Sequence, residues 1–355
     1  MSAFLPSRLP IVQAPMAGSQ GEKLCVAVCE AGGLGSIPCA MLTPEQLREQ
    51  IAEIRARTHA PFNVNFFCHV PPAPDPARQA AWLEVLAADY AEAGVDPASV
   101  GSGPGRAPFD AAMAEVVEAL RPPVVSFHFG LPEPGLLARV RAAGAKVYAS
   151  ATTVAEARWL AERGVDAVIA QGAEAGGHRG MFLSDDIAGQ PGLFALLPQV
   201  VDAVSVPVIA AGGIADGRGI AAAFALGASA VQIGTAYLRT PQATASAIHR
   251  AALAQARDDA TRLTNLFTGR PARGLLNRFL RAHGPMNAAA PAFPLATGAS
   301  APLRAHWEAK GSGDYSPLWA GQAASLAREE DAAALTGRLW REAKERMCGL
   351  GARSE

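Results

Sequence analysis

In Gly176-Gly177-His178 a titratable ring stands directly after two residues that have no side chain. Glycine lets backbone come close to a ligand, because no Cβ stands in the way. Imidazole changes charge near neutral pH and so suits proton transfer. The triplet lies in the Gly-rich stretch 173–180, just after the apolar run 167–170, which reads as a buried strand. Loops at strand ends are where α/β proteins carry their chemistry. The pattern predicts a site with a titratable group beside a backbone cradle.

Two more glycine turns follow. Ala211-Gly212-Gly213-Ile214 comes after the run 206–210 and leads toward a helix near Asp216-Gly217. Gln232-Ile233-Gly234-Thr235 closes the run 230–233. Backbone N–H groups at such turns, together with a helix N-terminus, bind phosphate. Gly212 and Gly213 permit close approach, and Thr235 adds a hydroxyl. The two turns in this order predict a phosphate site. Asn65 in the run 62–66 either meets a ligand or bonds local backbone. His128, at the end of the run 124–127, either lines the pocket or supports a residue that does.

Holding these turns together takes a rigid scaffold. Apolar runs at 10–14, 34–37, 62–66, 124–127, 146–149, 167–170, 206–210 and 230–233 read as eight strands. Segments of helical length separate them; Thr43-Pro44-Glu45 opens one with a cap residue and a first-turn proline. Apolar strands alternating with helices mean a parallel sheet covered on both sides. Eight repeats predict an α/β fold, a (β/α)8 barrel. The barrel spans 1–239, with a Pro- and Gly-rich insertion at 71–108 near its mouth. A mostly helical cap segment covers 240–330 at the C-terminal face, and a final helix in 331–355 packs back on the barrel.

Half of the 355 residues are hydrophobic (50%), so a large core is available, and the net charge is −1. That balance, with no basic tract, argues against nucleic acid or an anionic membrane as partner. No signal-peptide core or membrane span is legible, and the expectation is a cytoplasmic protein. The five cysteines are odd in number and fit small buried hydrophobes better than a disulfide framework. No His/Cys/carboxylate cluster has metal-ligand spacing. His59, His249, His283 and His306 read as surface residues.

Taken together, certain motifs carry a resemblance. They are Gln13-Ala14-Pro15-Met16-Ala17-Gly18, Asn63-Val64-Asn65-Phe66, Ser126-Phe127-His128-Phe129-Gly130-Leu131-Pro132, the stretch 171–180, Ala211-Gly212-Gly213-Ile214, Gln232-Ile233-Gly234-Thr235 and Leu318-Trp319-Ala320-Gly321-Gln322. In this order they resemble the nitronate monooxygenases, FMN-dependent barrel enzymes, over nearly the whole chain. The resemblance implies that Ala14 and Met16 lie under the flavin ring and that Asn65 binds FMN. Gln171, Gly176 and Gly177 flank the ring and ribityl chain. Gly212, Gly213, Gln232, Ile233, Gly234 and Thr235 form the phosphate cradle, and His178 is the active-site histidine. His128, Tyr315, Trp319 and Gln322 are candidates for the substrate mouth, although Trp319 and Tyr315 equally suit ordinary packing.

The implied reaction turns an alkyl nitronate and dioxygen into a carbonyl compound and nitrite, with propionate 3-nitronate as a family-based substrate, in a monomer or homodimer. FMN supplies the redox chemistry and the protein supplies placement and electrostatics. His178 accepts the α-proton of a neutral nitroalkane or, as a cation, holds the nitronate. Two rival readings stand. One is an FMN enzyme that uses NAD(P)H, reducing enoyl-acyl-carrier-protein or quinone. The other is a non-catalytic flavin-binding barrel. No separate GxGxxG unit for a nicotinamide is present.

Overall fold

The computed structural model describes residues 4–101 and 105–351. Residues 102–104 of the expected insertion, and the two termini, lie outside the described residues. Eight parallel strands form one sheet: β1 (Ile11–Gln13), β2 (Gly35–Pro38), β3 (Phe62–Phe67), β4 (Val124–His128), β5 (Lys146–Ala151), β6 (Ala167–Gln171), β8 (Val208–Ala211) and β9 (Ala230–Ile233). Their order is β1-β9-β8-β6-β5-β4-β3-β2. β1 and β2 meet through one parallel bridge, Val12 to Leu34, which brings the ring together. All eight expected strands are present, and the α/β barrel is the observed fold.

The strands are almost wholly buried and mostly apolar because both their faces are covered. Val12, Leu34, Val124, Tyr148, Ile169, Ile209 and Ala230 share a cluster with Leu5 and Phe4 of the N-terminal segment. The larger core packs the strands against their helices, and Leu335, Leu339 and Ala343 of the helix Ala332–Gly351 belong to it. The helix Pro44–Arg57 opens as its sequence dictates. Thr43 Oγ1 accepts from Gln46 N–H, and Gln46 Oε1 accepts from Thr43 N–H.

The insertion after β3 carries the helices Pro76–Val85 and Ala87–Ala93. It shares a core with residues some two hundred positions later: Trp82 and Tyr90 cluster with Phe267, Phe279, Leu303 and Tyr315. A second, antiparallel sheet of three strands joins residues 177–178 to the chain after the barrel. Its strands are β7 (Gly177–His178), β10 (Thr261–Thr264) and β11 (Ala272–Leu275), in the order β10-β11-β7. His178, expected in a free loop, is therefore in a short strand opposite Ala272.

Candidate active site

β6 ends at Gln171, whose amide clamps the strand that carries His178. Its Nε2 donates to the His178 carbonyl (3.0 Å), and its Oε1 accepts from Gly180 N–H (2.8 Å). His128, at the end of β4, holds the same carbonyl from the other side. Its Nε2 lies 3.2 Å from that oxygen, and its Nδ1 lies 3.0 Å from Ser150 Oγ on β5. A carbonyl only accepts, so Nε2 carries the His128 hydrogen and Ser150 donates to Nδ1. The His178 ring is boxed by Phe293 (5.2 Å between centroids) and Trp319 (5.6 Å), and its Nε2 lies 3.0 Å from Thr268 Oγ1.

Two charged neighbours of this strand turn out to be structural. Arg179 is fully buried and donates to the carbonyls of Gly172 (2.6 Å) and Gln171 (2.8 Å) and to Gln190 Oε1 (2.7 Å). Glu174 accepts from Leu193 N–H at 2.8 Å, at the start of the helix Leu193–Ala203. Neither is simply solvated, and no hydrogen bond joins the two among the described residues.

The glycines divide the work. Gly177 has φ +72°, and a Cβ there would meet nothing within 4 Å, so this backbone faces open cavity. A Cβ on Gly176 would stand 2.5 Å from Gly321 N and 2.6 Å from Ala320 C. Gly176 thus makes room for a strap of the chain, residues 319–322. The strap is tied by Gly321 N–H to Thr235 Oγ1 (2.9 Å) and Gln322 N–H to the Glu174 carbonyl (2.9 Å).

One cavity at the carboxyl ends of the strands gathers these groups, with about 1380 Å³ of empty space including its mouth. Ala14 and Met16 line it from the β1 end, Asn65 from β3, His128 from β4, and Gln171, Gly176, Gly177 and His178 from the clamp region. Gly212, Gly213, Gln232, Gly234 and Thr235 line the far end, and Trp319 closes it from the strap. Asn65 spends its Nδ2 on Ser126 Oγ (2.9 Å) and the Ser126 carbonyl (3.2 Å). Gln232 Oε1 is buried without a hydrogen-bond partner among the described residues. Such an acceptor asks for a donor from a ligand, since an unmet buried polar atom costs ~1–3 kcal/mol.

Burial dominates the electrostatics. It pulls the His178 pKa well below 6.5, helped by the positive charge of Arg106 and the neighbouring His128 and Arg270. Burial likewise pulls His128 down to about 4. A lowered pKa favours the neutral ring, which suits a base better than a cationic holder of a nitronate. A guanidinium also faces the cavity. Arg106, from the insertion, lines the cavity and donates to Thr297 Oγ1 at 3.1 Å. Among the described residues no carboxylate bonds it, and the charge next to it is Arg304. Sequence reasoning missed Arg106, which stands alone in a Pro/Gly-rich stretch.

Four expected placements are corrected. Tyr315 is buried in the cap core, stacked on Trp307, with its hydroxyl on Asp89 Oδ1, and does not reach the cavity. Gln322 is exposed beside Leu193 and Phe194 in a separate shallow depression. Ile233 points into the core, and only its carbonyl approaches the site region, accepting from Ala14 N–H at 2.8 Å. The helix after β8 does not offer its N-terminus to an anion. Asp216 accepts from Arg218 N–H (2.9 Å) and Gly219 N–H (3.4 Å), and Glu342 accepts from Gly217 N–H (3.3 Å). Two of the supposed surface histidines are also inside: His249 bonds the Trp319 carbonyl (3.1 Å), and His283 bonds Asp89 Oδ2 (2.7 Å). Among the described residues no His/Cys/Asp/Glu group could hold a metal, and no helix is long and apolar enough to cross a membrane.

An eight-stranded parallel barrel with a ligand cavity at the carboxyl ends of its strands defines a (β/α)8-barrel enzyme. Here the cavity holds a clamped, uncharged histidine and an acceptor without a donor. The sequence profile of nitronate monooxygenase matches residues 1–342, and the chain belongs to that family, which is flavin-dependent. A nitronate monooxygenase from Pseudomonas aeruginosa is 44% identical over 334 residues, covering 92% of this chain and 93% of its own. A solved nitroalkane oxidase from Streptomyces ansochromogenes superposes with a TM-score of 0.88 at 43% identity, covering 97% of this chain and 98% of the other. FabK from Thermotoga maritima superposes less closely, with a TM-score of 0.76 at 29% identity, covering 99% of this chain and 97% of its own.

Proposed function

We propose that this chain is an FMN-dependent enzyme that oxidises alkyl nitronates with dioxygen to a carbonyl compound and nitrite. The observation that carries the reading is the polarity of the cavity. A neutral histidine, His178, and a guanidinium without a carboxylate partner, Arg106, face the same space. Such a pocket attracts an anion while keeping a base ready for a carbon acid.

The residues present fit FMN. Gln232 Oε1 lacks a donor, and an isoalloxazine ring offers one. Gly177 leaves open space where a side chain would stand against a flat ring. Ala14, Met16, Asn65, Gln171 and Gly177 surround the ring in this reading. Gly212, Gly213, Gly234 and Thr235 hold the phosphate. Thr235 Oγ1 already accepts from Gly321 N–H, so its own hydrogen is what it has to donate. When bound, FMN accepts electrons from the nitronate and passes them to dioxygen.

The protein does the rest. Arg106 holds the planar anion with its fork of N–H donors. Phe293 and Trp319 exclude water from the face of His178. With a neutral nitroalkane, His178 removes the α-proton; with a nitronate it has no proton to take. Oxygen uptake and nitrite release with ethyl nitronate, and no NADH oxidation with an enoyl thioester or quinone, test the reading. NADH turnover with those acceptors and none of the nitronate would replace it with the reductase alternative.

A further inference from the structure

His178 is held by two independent groups of bonds. Its backbone is fixed by Gln171, His128 and the pairing with Ala272. Its ring is fixed by one hydroxyl, Thr268 Oγ1, at 3.0 Å from Nε2. That hydroxyl stands on firm ground. Thr268 is buried, and its turn is closed by Gly269 N–H on the Asn265 carbonyl at 2.7 Å. Asn265 is locked to Asn287 by a reciprocal pair: its Nδ2 donates to the Asn287 carbonyl (2.8 Å), and its Oδ1 accepts from Asn287 N–H (2.9 Å). Ser300 Oγ donates to the adjacent Phe267 carbonyl at 3.2 Å.

A neutral imidazole carries one ring hydrogen, and which nitrogen holds it decides which nitrogen is the base. A hydroxyl has one hydrogen to give and lone pairs to receive. The Arg270 carbonyl, which can only accept, lies 3.5 Å from Thr268 Oγ1 and gives the hydroxyl hydrogen a place to turn other than His178. Its oxygen is left to receive the hydrogen on Nε2. Nδ1 makes no hydrogen bond among the described residues, and His178 lines the cavity.

We propose that Thr268 is a positioning residue: its hydroxyl accepts the Nε2 hydrogen of His178 and thereby leaves Nδ1 as the ring's basic nitrogen. The consequence for turnover rests on the proposed function; the tautomer itself does not. Phe293 and Trp319 keep the ring's plane, but rings have no preference between nitrogens. Among the described residues Thr268 alone bonds a ring nitrogen and supplies one.

The test uses the full chain labelled with nitrogen-15 histidine, with the His178 signals assigned by their loss in His178→Asn. The wild-type spectrum should show a hydrogen on Nε2 and a bare Nδ1. Thr268→Val keeps the shape and removes the hydroxyl, and it should mix the two tautomers; Thr268→Ser should restore the single one. In turnover, Thr268→Val should lower kcat on a neutral nitroalkane about tenfold. The same variant should leave a pre-formed nitronate within about twofold. Thr268→Ser should recover the lost rate. A wild-type hydrogen on Nδ1 overturns the proposal, and so does a Thr268→Val spectrum identical to wild type. Equal loss on both substrates, not rescued by serine, assigns Thr268 a merely structural role and also overturns it. If the wild type turns over neither substrate, the functional reading fails while the nitrogen spectrum still decides the Thr268 bond.

Discussion

Replacing His178 with asparagine separates proton removal from electron transfer. A neutral nitroalkane must lose its α-proton before its carbon can release an electron; a pre-formed nitronate has already lost it. Burial, Arg106, His128 and Arg270 hold the His178 pKa well below 6.5, so at pH 7 the ring is fully in its basic form. A placed base contributes ~10²–10⁴-fold, which is ~2.7–5.5 kcal/mol of barrier. His178→Asn should therefore cut kcat/KM for nitroethane by roughly 10²-fold or more. Activity on ethyl nitronate should stay within about threefold of wild type. The acid limb gives an independent check. Activity on nitroethane needs the unprotonated ring, so it should stay flat as the pH falls through 6.5 and decline only well below it. Nitrite release at a series of pH values measures both. Equal losses on the two substrates would refute the reasoning, as would a wild-type acid limb centred on the ordinary histidine value.

Other expectations follow from the same contacts. His128 and His249 are held at about 4 by burial, while an unfolded histidine titrates near 6.5. The unfolded chain then binds more protons below pH 6.5, so the stability these two contribute is whole above that value and lost toward pH 4. The loss at pH 5 is about 2 kcal/mol for each, and equal denaturation midpoints at pH 7.5 and 5 would show it absent. Gly176→Ala puts a Cβ 2.5 Å from Gly321 N and should cost ~1–3 kcal/mol by lifting the strap. Gly177→Ala meets open space and should cost ~1 kcal/mol from its positive φ alone; a thermal midpoint lower for Gly177→Ala than for Gly176→Ala would reverse the assignment. Gly213→Val places a branched side chain at φ +68° in the proposed phosphate cradle and should yield protein with little bound flavin. Unchanged visible absorbance would exclude that role. Arg106→Gln should raise KM for nitronate by about tenfold or more and change kcat less; an unchanged KM would remove Arg106 from anion binding.

The barrel was legible because its strands are short, mostly apolar runs between turn residues, and the observed bounds fall within two residues of the expected ones. β9 even matches at both ends. The small sheet was not legible. Gly177 and His178 make a strand only because Ala272 and Arg273 lie opposite, and no local pattern announces a partner so far along the chain. Distance in sequence hid the other surprises too. Tyr315 and His283 both converge on Asp89, across 226 and 194 positions, and this turns two candidate surface or mouth residues into core. Most glycine turns did gather around one cavity, yet Gly176 serves the strap, a role that spacing cannot distinguish from ligand clearance. Arg106 carried no motif. Its meaning comes from the histidines around it and from the lack of a carboxylate, and both depend on the fold.

The account turns on where the electrons come from. The most direct measurement is the visible spectrum of the purified protein, followed without oxygen after mixing with ethyl nitronate and, separately, with NADH. A flavin spectrum that bleaches with the nitronate and persists with NADH is the predicted result. A spectrum that bleaches with NADH and ignores the nitronate would contradict the account at its centre.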